Sequence, residues 1–260
     1  MTIQRKTCPM ADFGKEAVAI EVHGVSKSFL NAEGGSFKAL DEVSFAIPKG
    51  SLAVVSGQNG SGKSLLMTII AGLEKPASGY IRTDSKVGLV FQDADSQILG
   101  ETPLEDVCFG LSNTGVRGFR AKDAACEALK KVGLYEKRNS PSHFLSGGEK
   151  RRLAIASILA LGFGTIIMDE PYSNLDYAGV KDVNKLVGEL STSGVTLVIL
   201  SHEIEKCLAL ADRFIVLKKG RLVFDGTPQE GLSLGGETWE DWGIRNPLSS
   251  YPTLDSLVWK

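Results

Sequence analysis

Polar and apolar positions alternate from Ala17 to Phe29, with Val18, Ile20 and Val22 on one face, which is the period of a strand. Phe37 to Ile47 gives a second strand, closed by the turn residues Pro48-Lys49-Gly50, with a Gly-rich tip at Asn31 to Ser36 between the two. Short unbroken apolar runs follow at Leu52–Val55, Val87–Phe91, Thr165–Met168, Val195–Leu200 and Phe214–Leu217. Runs of that length between turn signals read as buried strands. Lys218-Lys219-Gly220 turns the last of them into Leu222-Val223-Phe224, a hairpin. Helical spacing appears elsewhere. Leu65 to Ala71 is a buried helix stopping at Gly72, and Pro76 to Gly79 is a turn. Thr102-Pro103-Leu104-Glu105 reads as a capping box with proline at the first helical position. Ala121, Ala124, Ala125, Ala128, Leu129 and Val132 share one helical face, as do Val180, Val183, Leu186, Val187 and Leu190. A short helix is expected at about 203–211.

Strands alternating with helices predict an α/β fold with a mainly parallel sheet, its ligand at the carboxyl ends of the strands. Residues 1–16 have no clear period and read as a flexible tail. Residues from about 93 to 160 read as a mostly helical insertion, and those from about 227 to 260 as an appendix. The chain has 260 residues, 43% hydrophobic and 23% charged, an ordinary globular balance. A net charge of −2 argues against a protein that coats nucleic acid. Cys8, Cys108, Cys126 and Cys207 form no C-x-x-C pair and read as reduced thiols of a cytosolic protein. The longest uncharged run, Leu153 to Met168, falls short of the ~20 residues a bilayer needs. Any work at a membrane is therefore expected to go through a partner.

The chemistry concentrates at Gly57-Gln58-Asn59-Gly60-Ser61-Gly62-Lys63-Ser64, which fits G-x-x-x-x-G-K-[ST] between a strand and a helix. Glycines let successive backbone N–H groups converge on an anion, and the helix adds its positive end. Lys63 is placed to reach the β- and γ-phosphates, and the Ser64 hydroxyl to join Mg²⁺. The strand Ile166-Ile167-Met168 ends in two acids. Asp169 would reach the same Mg²⁺, and Glu170 would orient and deprotonate an attacking water. By themselves two such acids are ordinarily a solvated strand end; the phosphate loop makes them candidates. Ser146 could cap a helix, with Gly147 and Gly148 leaving its first amides open.

At this point the chain resembles the ATP-binding-cassette (ABC) ATPases, over about residues 18–226. Leu145-Ser146-Gly147-Gly148-Glu149 looks like that family's signature motif, Gln92 like its Q-loop glutamine, Ser173-Asn174-Leu175-Asp176 like its D-loop and His202 like its switch histidine. Phe29 falls where an aromatic ring stacks on adenine. The resemblance implies a P-loop NTPase core with an antiparallel β subdomain and a helical insertion. It implies ATP and Mg²⁺ as ligands and two cassettes facing head to tail. Ser146, Gly147 and Gly148 would then touch the partner's nucleotide. His202 would contact the γ-phosphate, Asp176 would link the two sites, and Gln92 would join the metal or water. Leu65 departs from the usual Thr or Ser, leaving its backbone N–H for the phosphates. Phe29 departs from the usual Tyr and keeps a ring face for stacking. Gln92-Asp93-Ala94-Asp95-Ser96-Gln97, with Asp106-Val107-Cys108-Phe109-Gly110, is similar to the energy-coupling factor subgroup, although Ala94 replaces its usual Pro. That similarity implies an ATPase powering import of a vitamin or transition-metal ion. Its partners would be a second ATPase subunit, a transmembrane scaffold and a substrate-binding membrane subunit, and its place the cytoplasmic face of the cell membrane. The alternatives are the ATPase of another ABC importer class, or a soluble mechanochemical ABC ATPase acting on nucleic acid or ribosomes.

Overall fold

The computed structural model describes residues 17–30 and 34–249. The tail expected at 1–16, part of the tip at 31–33 and the end of the appendix at 250–260 lie outside the described residues. The strands are β1 (Val18–Leu30), β2 (Ser36–Pro48), β3 (Leu52–Ser56), β4 (Ser78–Thr83), β5 (Val87–Val90), β6 (Thr165–Asp169), β7 (Thr196–Leu200), β8 (Arg213–Lys218) and β9 (Arg221–Gly226). The helices are α1 (Lys63–Ile70), α2 (Pro103–Asn113), α3 (Gly118–Lys131), α4 (Gly147–Ala160), α5 (Tyr177–Thr192), α6 (Pro228–Leu232) and α7 (Gly236–Trp242).

A six-stranded sheet runs β5-β6-β7-β3-β8-β9, and a three-stranded sheet runs β2-β1-β4. All neighbours in the larger sheet are parallel except β9, which returns antiparallel along β8. The smaller sheet is antiparallel throughout. The larger sheet separates two cores, because alternate residues of each strand point to opposite faces. Leu52, Val54, Ile166, Met168, Leu197 and Ile199 pack with α2–α5 and α7. Ala53, Val55, Ile167, Val198, Leu200 and Ile215 pack with α1 and the antiparallel sheet. Strands covered on both faces must be apolar throughout, which is why β3 and β7 are buried at every residue.

Two expectations are corrected here. The turn at Pro76–Gly79 gives way early: Ser78 and Gly79 already belong to β4. A Cβ at Gly79 would fall 2.4 Å from the carbonyl oxygens of His23 and Gly24, so β1 and β4 approach closely there. The sequence pattern misses β4 because it is a largely exposed edge strand with a single aliphatic residue, Ile81. The helix expected at 203–211 is two separate 3-10 turns, Ile204–Lys206 and Leu208–Leu210, broken at Cys207. In α2, by contrast, the Thr102 hydroxyl accepts from the Glu105 N–H at 3.3 Å, with Pro103 at the first position. Beyond β9, α7 returns to the main core. Its Trp239 and Trp242 lie against Phe214 at 5.8 and 6.3 Å between ring centroids, and both are buried.

Candidate functional site

β3 delivers the chain to the phosphate loop at the carboxyl edge of the parallel strands. Gly57 takes φ +139°, and a Cβ there would fall 2.0 Å from the Leu217 carbonyl oxygen of β8. Gly62 takes φ +98°, and its Cβ would fall 2.8 Å from the Ala39 carbonyl. Only glycine combines such dihedrals with such close neighbours. Gly60, at φ +76°, instead borders open space. Gln58 and Asn59 are exposed on the loop's outer side. Gly62 caps α1 without a side-chain acceptor, so the helix's first amides stay available to an anion. The Ser61 hydroxyl is buried with no partner among the described residues. Lys63 is 7% exposed, and its Nζ donates to the carbonyl oxygens of Gly57 at 2.7 Å and Gln58 at 3.1 Å. Burial pushes the Lys63 pKa down, while the carboxylates of Glu170 and Asp169 hold it up.

The loop forms one wall of a cleft of about 360 Å³, faced by Lys63, Ser64, Gln92, Asp169 and Glu170. Asn59, Gly60, Gly62 and Leu65 also border it. At the end of β6, the Asp169 carboxylate accepts from the Ser64 hydroxyl. Burial raises the Asp169 pKa, and this hydrogen bond opposes the rise. Glu170, 8% exposed, adopts φ +47°, a left-handed backbone that costs a residue with a Cβ and is found where function fixes geometry. Its N–H donates to the Leu200 carbonyl of β7 at 3.0 Å, so the adjacent strand sets its position. His202, just beyond β7, sets its Nδ1 2.8 Å from Glu170 Oε1, and its backbone N–H donates to Oε2 at 3.4 Å.

The donor set suits a magnesium–triphosphate complex. Ser64 Oγ, the Asp169 carboxylate and the Gln92 amide oxygen are hard ligands. No group of three or more His, Cys, Asp or Glu able to hold a metal occurs among the described residues. Mg²⁺ commonly takes one or two protein oxygens, with phosphate and water completing the shell.

Other predicted residues lie away from this cleft. Ser146 caps α4: its hydroxyl accepts from the Glu149 N–H at 3.3 Å, and Glu149 Oε2 accepts from the Ser146 N–H at 3.0 Å. Ser146 and Gly147 are exposed, and a Cβ at Gly147 would meet nothing within 4 Å. Gly148 faces Leu175 of the turn that leads to Asp176. Asp176 caps α5, accepting from the Gly179 N–H at 2.8 Å. Phe29 lies near the end of β1, 5.9 Å from Phe37 between ring centroids and 5.7 Å from the Lys27 ammonium. Thus the structure gathers the phosphate loop, Gln92, Asp169, Glu170 and His202, and leaves Phe29, Ser146, Gly147, Gly148 and Asp176 outside that cluster.

Motif reading missed several supports. Gln97 locks the end of β5: its Oε1 accepts from the Phe91 N–H at 2.8 Å, and its Nε2 donates to the Leu89 carbonyl at 2.9 Å. Asp106 accepts from the N–H groups of Leu99 and Gly100 and from Ser157 Oγ, pinning α2 to α4. Both sit in the segments quoted for subgroup similarity, so spacing could have flagged them.

Residues 40–173 match the ABC transporter family. The chain belongs to that family of ATPases. The cobalt import ATP-binding protein CbiO of Rhodobacter capsulatus is 38% identical over 229 residues, covering 82% of this chain and 81% of that protein. An energy-coupling factor transporter ATP-binding protein of Mycoplasma mobile is 40% identical over 218 residues, 78% and 79% of the two chains. Among solved structures, cbiO1 of Clostridium perfringens, part of the ABC transporter complex cbiONQ, superposes with a TM-score of 0.76 at 31% identity. It covers 84% of this cassette and 92% of that chain. A bacterial ABC transporter cassette solved as a dimer gives 0.71 at 29% identity, covering 80% and 98%. The P-loop α/β architecture described above is the fold of these ATPase cassettes.

Proposed function

We propose that this cassette is the ATP-hydrolysing subunit of an energy-coupling factor importer for a vitamin or a transition-metal ion. One observation carries the chemistry: Glu170 lines the same cleft as Lys63, with His202 Nδ1 2.8 Å from its carboxylate. In this reading the loop amides and Lys63 bind the β- and γ-phosphates, and Leu65 contributes its N–H. The Glu170 carboxylate takes a proton from the attacking water, and His202 Nε2 faces the γ-phosphate. Mg²⁺, held by Ser64, Asp169 and Gln92, supplies Lewis-acid charge to the phosphate oxygens when bound. Phe29 stacks on the base.

Lys63 rests on the loop's own carbonyls, so phosphate replaces hydrogen bonds already made there. Loop preorganisation keeps that exchange local. Ser146, Gly147 and Gly148 point to a second cassette, whose nucleotide they would cap, with Asp176 between the two sites. The dimer closes on ATP and reopens after hydrolysis, a switch that takes about 5.5 kcal/mol of differential binding to run nearly to completion. Charge-assisted contacts from both cassettes to one triphosphate supply energies of that order.

No helix among the described residues is long and apolar enough to cross a membrane. The importer reading therefore assigns the chain to the cytoplasmic face, docked on a transmembrane scaffold that works with a substrate-binding membrane subunit. Its support is the similarity to importer ATPases together with the Gln92–Gln97 and Asp106–Gly110 segments.

The test is co-expression with a transmembrane scaffold and a substrate-binding membrane subunit of an energy-coupling factor importer, followed by uptake into vesicles. Wild-type complex should take up substrate with ATP. Glu170→Gln should retain ATP and lose hydrolysis by roughly 100-fold or more. Near-normal hydrolysis by that variant refutes the base assignment. Failure of the wild-type chain to associate with any multi-span membrane protein refutes the importer.

A further inference from the structure

Arg151 is a buried charge that the nucleotide site leaves unused. It lies in the second turn of α4 and is 6% exposed. Its Nη2 donates to the Gln92 carbonyl oxygen across a long 3.4 Å, while Nε and Nη1 are buried with no acceptor among the described residues. Its neighbours on the helix are paired, Lys150 with Asp95 at 2.7 Å and Arg152 with Asp182 at 3.8 Å. Burial alone pushes the Arg151 pKa down, and no anion counters it. A guanidinium taken out of water with two donors unsatisfied lowers stability, and an apolar side chain of similar volume commonly does better. Packing therefore does not account for an arginine here.

The surroundings do. Arg151 borders a cleft of about 250 Å³ shared with Gln92, Gly147, Ser173 and Asn174. Gln92 is the residue that lines both this cleft and the nucleotide cleft. It is gripped twice, each time at long range: its main-chain oxygen by Arg151, and its side-chain Nε2 by Ser173 Oγ at 3.4 Å. Asn174, next to Ser173, takes the left-handed φ of +60° that asparagine tolerates in turns. Gln92 itself is thus held by two long contacts, with spare donors of Arg151 beside it, while Asp95 further on is paired with Lys150.

We propose that Arg151 is a positioning residue for ATP hydrolysis, tying the start of α4 to Gln92 through the Gln92 carbonyl. The signature turn and the glutamine that reaches the nucleotide then shift together. The inference rests on Gln92 acting at the nucleotide, as proposed above. The two unsatisfied donors serve the same end: they offer hydrogen bonds to main-chain oxygens of residues 92–95 as that segment moves, so the link survives the motion.

The test uses the full chain with Arg151→Met and Arg151→Lys. Arg151→Met removes the charge at similar length. It should melt at the wild-type temperature or above, keep KM for ATP within about twofold, and lose kcat by roughly 10- to 100-fold, as a misplaced catalytic group does. Amide exchange over residues 91–98 should quicken in the nucleotide-free variant and lose its slowing by ATP. Arg151→Lys, which keeps a donor, should regain part of kcat. Wild-type kcat in Arg151→Met overturns the proposal. So does a fall in melting temperature shared by both variants in proportion to lost activity, because that marks a structural anchor. A failure of hydrolysis in the wild-type chain would instead sink the enzymatic reading on which this one stands.

Discussion

Asp169 holds its place against its own electrostatics. Burial lifts its carboxyl above the ordinary carboxylate range, Glu170 adds to the rise, and Ser64 and Lys63 oppose it. A folded-state pKa above the unfolded value of about 3.9 means that the native chain binds the proton more tightly. The cost to stability is absent below the unfolded value. It grows as pH rises through the folded value and is complete above it. Asp169→Asn should therefore raise the melting temperature at pH 7 and lose that gain as pH falls toward about 4. Hydrolysis should drop at the same time by roughly 100-fold. Thermal melts from pH 4 to 8 check the first expectation; a variant that melts lower at neutral pH would show that Asp169 is stabilising as it stands. At this scale the sequence is uneven in what it discloses. Lys63, Ser64 and Asp169 were readable because phosphate chemistry restricts their types and spacing. The Glu170–His202 contact joins residues just beyond two different strands, and no local pattern states that β6 and β7 are neighbours. Arg151 was not readable, because a charged residue near a helix start ordinarily faces solvent.

Between elements, the close approach of α4 to the central sheet depends on Gly88 in β5. A Cβ there would fall 2.3 Å from Cγ2 of Ile158, so the helix that begins at the signature turn sits directly on the edge strand. Gly88→Ala should destabilise the fold by about 1–3 kcal/mol, the usual cost of overpacking a filled core. Adding Ile158→Ala, which removes the opposed Cγ2, should cost less in the Gly88→Ala background than it does alone. Urea denaturation of the two single variants and the double variant forms the cycle; strict additivity would show that the two residues do not meet. The buried strands of the parallel sheet were legible because burial on both faces forces continuous apolar runs. β4 was not, since an exposed edge strand keeps its backbone partners without needing apolar side chains. The turns at 204–210 read as a helix because Ile204, Cys207 and Leu208 have helical spacing; the backbone meets it with two short 3-10 turns and a change of direction at Cys207. A glycine admitted for a neighbour's sake, such as Gly88, looks like any other glycine in a row of letters.

For the whole molecule, the decisive feature is the separation of two surfaces that the proposed shared site would bring together. Lys63, Asp169 and Glu170 line one cleft, whereas Ser146 and Gly147 are exposed elsewhere at the start of α4. If a second copy supplies the missing surface in an isologous pair, each site takes its phosphate loop from one chain and its signature turn from the other. Ser146→Arg then spoils only the site formed with the partner's loop, and Lys63→Ala spoils only its own. Each variant alone should be nearly inactive, because every site in the pure dimer carries the lesion. In an equal mixture that exchanges freely, about half the dimers are mixed, and each mixed dimer has one intact site, so about a quarter of all sites should be whole. Ser146→Arg also removes the α4 cap at a cost of about 1 kcal/mol, so its melting temperature must be measured alongside. Activity that climbs on mixing and peaks near equal proportions establishes the shared site. A flat response across all ratios, with both variants folded and exchanging, would mean that each chain completes its own site or that its natural companion is a different cassette.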